Sequence, residues 1–116
     1  MKYRHYAPKA PVTVVTGPGE GTARYIRERA GEHTGVICFD EFAEAFPNCV
    51  VEPIGSYADK AEQARRVFEA LRAFDGTAVT AIYAQCPGDA GLGLAVANRL
   101  KKAAGFQIVD IGEDGI

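Results

Sequence analysis

The chain has 116 residues, is 47% apolar and 24% charged, and carries a formal charge of −2. That is enough for one domain with a core of its own, and the composition has no disordered or fibrous bias. No apolar run approaches the roughly 20 residues that cross a bilayer, and no apolar stretch marks a secretory leader, so a cytoplasmic protein without membrane partners is expected.

The charge is unevenly spread. Lys2, Arg4 and Lys9 precede the first acid, Glu20, and the rest of the chain carries a formal −5. A mildly acidic body argues against direct nucleic-acid binding, whereas a basic head argues for a local anionic neighbour. Cys38, Cys49 and Cys86 are odd in number and widely spaced, with no C-x-x-C pair and neither histidine nearby. Neither a disulfide framework nor a metal site is expected.

The first stretch, MKYRHYAPKAP, has no periodicity of its own. VTVVTG (12–17) follows as a short buried-type strand, bounded by Pro11 and by the Gly-Pro-Gly after it. From Gly21 a helix is predicted over TARYIRERA, with Ala23, Ile26 and Ala30 on one face and Gly31 placed to end it. TGVICFD reads as the second strand, with Cys38 a small core residue, and EFAEAF as at most a short helix stopped at Pro47. NCVVEPIG gives a third strand that Pro53 confines to an edge or a strand end.

Ser56 is expected to start the longest helix, SYADKAEQARRVFEALRAF, with Asp59 as an imperfect capping-box partner. Tyr57, Ala61, Ala64, Phe68 and Leu71 would form its buried face, and Gly76 closes it. TAVTAIYAQCP is the fourth strand, LGLAVANRLKKAAG a third major helix ending at Gly105, and FQIVDIG the last strand. Strands separated by helices imply right-handed crossovers and a parallel sheet covered on both faces. The fold class is therefore α/β: an open Rossmann-like three-layer sandwich of about five strands, with an order such as 3-2-1-4-5.

In such a sheet ligands bind beyond the carboxyl ends of the strands. Two glycine-rich loops are expected there, TGPGEG with Gly17, Gly19 and Gly21, and CPGDAGLG with Gly88, Gly91 and Gly93. Asp40 ends the second strand about where a dinucleotide fold keeps its ribose-binding acid. The spacing fails, because Thr22 stands where the third glycine belongs, and Glu20 and Asp89 place negative charge against a phosphate. Tight turns and close helix–strand packing explain the glycines without a ligand. Cys86, at a strand end before a helix, has the position of an activated thiol but no base near it in sequence. Asn98 and Arg99 read as a partly solvated helix face. No catalytic residue and no metal ligand emerges from the body.

The head is more specific. MKYRHYAPKAP resembles the linker of the two-domain threonylcarbamoyl-AMP synthase family, in which a YrdC-like catalytic domain is followed by S-P-G-M-[KR]-Y-x-H-Y-x-P and then a smaller Rossmann-like domain. Met1, Lys2, Tyr3, His5, Tyr6 and Pro8 match the second half of that motif; its Ser-Pro-Gly has no counterpart here. The ADKAEQARRVFEALR helix before a D-G-T turn and GLGLAVANRLKKAAG near the end are similar to the family's C-terminal domain, so the resemblance runs through the whole chain.

The resemblance implies an interdomain linker at 1–11 and an accessory domain at 12–116. It implies that the parent enzyme condenses ATP, L-threonine and bicarbonate to threonylcarbamoyl-AMP, for the t6A modification of tRNA, with release of pyrophosphate. ATP, with Mg, would sit in the catalytic domain, normally on the same chain, and no cofactor would sit in these 116 residues. Lys2, Tyr3, Arg4, His5 and Tyr6 would contact that ATP site as the linker crosses its mouth. On this reading the chain alone is inactive. The alternative is a stand-alone module that binds a nucleotide or small anion in the glycine-rich crevice.

Overall fold

The computed structural model describes residues 10–86, 101–102 and 107–111. Five strands, β1 (Val12–Thr16), β2 (Thr34–Cys38), β3 (Val50–Pro53), β4 (Ala81–Cys86) and β5 (Ile108–Asp110), form one sheet in which every pairing is parallel. Helix α1 (Gly19–Arg29) follows β1 and helix α2 (Lys60–Ala73) precedes β4, with single 3₁₀ turns at Asp40–Phe42 and Phe74–Gly76. The third predicted helix falls largely outside the described residues, of which Lys101 and Lys102 are helical.

The α/β class and the five parallel strands agree with the sequence reading; the strand order does not. It is β3-β2-β4-β1-β5, with β4 inserted between β1 and β2 instead of beyond β1. Val12–Thr16 pairs with Ile82–Cys86 on one side of β4, and Thr34–Ile37 pairs with Ala81–Ala84 on the other. The chain thus steps over a vacant position between β1 and β2 and later fills it. Travel from β1 to β2 runs opposite to travel from β3 to β4, so right-handed crossovers place α1 and α2 on opposite faces.

Side chains alternate between two cores accordingly. Val12, Val14, Ile37, Ile82 and Ala84 meet Val67, Ala70 and Leu71 of α2. Val15, Val36 and Cys38 meet Ala23 and Ile26 of α1. On the α2 side Phe74 lies flat enough on β2 that a Cβ at Gly35 would come within 2.6 Å of its ring. The glycine is what lets the ring approach the strand.

Two helix boundaries differ from expectation. α1 starts at Gly19, two residues before the predicted start at Gly21. α2 starts at Lys60 with Asp59 as its N-cap, whose carboxylate accepts from Glu62 N–H at 3.1 Å. Ser56 does not cap it; its hydroxyl donates to Glu41 at 2.9 Å. Four residues at the front of the predicted helix are thus a loop. The buried face shifts with them: Gln63, Val67, Ala70 and Leu71 are buried, Ala64 and Phe68 flank, and Tyr57 and Ala61 are exposed. Pro53 does end an edge strand, as the missing N–H dictates.

Candidate functional site

All five strands point their carboxyl ends the same way, so the loops after β1, β2 and β3 gather along one edge. There β1 runs into Gly17, whose φ of 145° suits glycine, and Pro18 leads into α1. Gly19 and Gly21 belong to the first turn of the helix, Gly21 buried. Thr22 turns its hydroxyl back onto the Gly19 carbonyl at 3.0 Å.

Gln85, fully buried near the end of β4, ties this turn to the next strand. Its Nε2 donates to Gly19 O and to Thr22 Oγ1, each at 3.0 Å, and its Oε1 accepts from Phe39 N–H at 3.0 Å. One amide satisfies the residue just after β2 and the first turn of α1, which the place of β4 between β2 and β1 brings within its reach. With β4 elsewhere the buried Phe39 N–H and the Gln85 amide would lose these partners, whereas Thr22 Oγ1 and Gly19 O would keep each other. The order found here accommodates those bonds, and the sequence offered the signal as a lone glutamine in the apolar run AIYAQC.

The second strand's carboxyl end is equally committed. Asp40 accepts from Gly55 N–H at 3.1 Å, and its own N–H donates to Gly55 O at 2.9 Å. Its carboxylate fastens β2 to the end of β3. Glu41 accepts from Tyr57 N–H at 2.9 Å and from the Ser56 hydroxyl at 2.9 Å. The Tyr57 N–H bond, before the others, holds the Glu41 carboxyl below its ordinary pKa. Above this loop Phe39 and Tyr57 meet edge to face at 5.1 Å, and the Lys60 ammonium lies 4.2 Å from the Tyr57 ring centre.

Phe42 closes the space over the first glycine loop. A Cβ on Gly19 would lie 3.1 Å from the Phe42 ring and 3.9 Å from Tyr57. Aromatic side chains therefore pack where a dinucleotide's phosphates would approach the helix start. Phe42 was absent from the sequence-level candidates, because nothing in EFAEAF places its ring over a loop two strands away.

Of the remaining candidates, Cys86 is fully buried at the end of β4. Burial, chiefly, and the nearby Asp40 charge push the Cys38 thiol up to about 12. Burial also raises Cys49. Neither is an activated thiolate. Gly88, Gly91 and Gly93, with Asp89, Asn98 and Arg99, lie outside the described residues, as do Lys2, Tyr3, Arg4, His5 and Tyr6. Among the described residues no group of three or more His, Cys, Asp or Glu is placed to hold a metal ion, and no helix is long and apolar enough to cross a membrane.

The N-terminal segment meets the sheet at its other end. Pro11 O accepts from Ile82 N–H at 2.9 Å, and Ala10 packs against the α2-side core. The segment is thus rooted at the amino edge, opposite the glycine loop.

Comparison with known proteins gives this arrangement a family. The chain is 41% identical over 120 residues to the threonylcarbamoyl-AMP synthase of Pyrococcus abyssi, covering 96% of this chain and 33% of that protein. It is 38% identical over 111 residues to the Bacillus subtilis threonylcarbamoyl-AMP synthase, covering 94% of this chain and 32% of that one. The crystal structure of P. abyssi Sua5 complexed with L-threonine superposes with a TM-score of 0.74 at 41% identity, over 96% of this chain and 33% of that one. A C-terminal Sua5 domain from Pyrococcus horikoshii superposes with a TM-score of 0.63 at 36% identity, over 90% of this chain and 99% of that domain. The chain spans about a third of the length of the curated relatives it matches. The profile of the threonylcarbamoyl-AMP synthase C-terminal domain matches residues 1–105, and it is to this domain family that the chain belongs.

Proposed function

We propose that the chain acts as the accessory domain and active-site-covering linker of an L-threonylcarbamoyl-AMP synthase. The reaction is the condensation of ATP, L-threonine and bicarbonate to threonylcarbamoyl-AMP and pyrophosphate, serving t6A formation in tRNA. Catalysis, with ATP and Mg, belongs to a YrdC-like domain joined ahead of residue 1, in the cytoplasm. This chain supplies no catalytic residue, no metal ligand, and no membrane or nucleic-acid contact.

The observation that carries the reading is the family match itself. It begins at residue 1, so it takes in the basic, aromatic head as well as β1 to β4. That the P. abyssi relative was solved with L-threonine supports the same substrate here. Residues 1–11 are the linker and 12–116 the domain, with the linker's last residues already seated on β4. In the linker Lys2 and Arg4 offset phosphate charge, Tyr3 and Tyr6 stack or hydrogen-bond, and His5 exchanges a hydrogen bond near neutral pH.

The alternative, a nucleotide module using the crevice, has the geometry of its first loop against it. Phe42 occupies the approach to Gly19, and Asp40 is spent on Gly55.

The test is Arg4→Ala in the two-domain enzyme. A lost charged hydrogen bond to phosphate is worth about 1.5–3 kcal/mol, so kcat/KM for threonylcarbamoyl-AMP formation should fall about tenfold or somewhat more. Tyr6→Phe should cost less, because the ring remains. Parental rates and ATP affinity in both variants would reduce the stretch to a plain tether.

A further inference from the structure

We draw no further inference here: the strongest candidate, the groove of about 500 Å³ that Arg24, Tyr25 and Arg29 of α1 form with Val109 and Ile111 at the end of β5, opens where the chain continues beyond the described residues, and nothing in the structure shows what covers it.

Discussion

Phe39 and Gln85, 46 residues apart, are joined by a buried hydrogen bond from the Phe39 N–H to the Gln85 amide oxygen at 3.0 Å. The other end of the same amide holds the first turn of α1. Gln85→Leu keeps the volume, orphans the Phe39 N–H and takes one donor from Gly19 O and from Thr22 Oγ1, which keep their bond to each other. Leaving one buried donor unpaired costs about 1–3 kcal/mol, so a loss of about that size is expected in urea unfolding. A loss under about 0.5 kcal/mol, the level of an ordinary surface substitution, would mean that the amide does not fix the position of β4.

Gly35 should be intolerant of even one carbon. Its Cβ would fall 2.6–3.0 Å from three atoms of the Phe74 ring, and that ring is buried. Gly35→Ala should destabilise by about 1–3 kcal/mol through overpacking. In a Phe74→Leu background the same substitution should cost much less, a coupling that a double-mutant cycle reads directly. Additive losses would show that the ring is not what excludes the methyl.

The start of α2 separates two residues that look alike in sequence. Asp59→Ala removes the N-cap bond to Glu62 N–H and should cost about 1 kcal/mol, with loss of helical signal. Ser56→Ala removes two exposed bonds, to Glu41 and from the Ala58 N–H, neither of which caps α2, and should cost less than half as much. The reverse ranking would restore the helix start to Ser56.

Glu41 gives the fold an acid-side dependence. Its carboxyl is held below its ordinary value by the Tyr57 N–H, so the folded state favours the ionised form. The stabilisation is fully present above the unfolded pKa and is lost as pH falls through the lowered folded value. Glu41→Gln should therefore flatten the decline of the urea midpoint between about pH 5 and pH 3, where carboxylates titrate. An unchanged slope would exclude Glu41 as a contributor.

What the sequence made legible were features that depend on one element at a time. The alternation of apolar runs with helical patterns marked all five strands, and the ring of Pro53 announced an edge. The strand order was not legible in the same way. β1, β2 and β4 are all apolar on both faces, and a helical crossover skips a strand as readily as not. The hydrogen-bonding demand of Gln85 is one feature that suits this order, and it is visible once its partners Phe39, Gly19 and Thr22 are near. The start of α2 misled because Tyr57 and Ala61 continue the apolar spacing into a loop that Glu41 holds from another element. The glycine loop was legible as a turn, whereas the ring of Phe42 above Gly19 is a tertiary contact. The linker was legible only as a resemblance, since a basic aromatic head has no period for physics to read.

The most direct measurement is pyrophosphate release from ATP, L-threonine and bicarbonate, by the isolated chain and by the chain joined to a YrdC-like catalytic domain. The isolated chain should release none above buffer, while the joined protein turns over. Turnover by the isolated chain, in a preparation free of host synthase, would contradict the account.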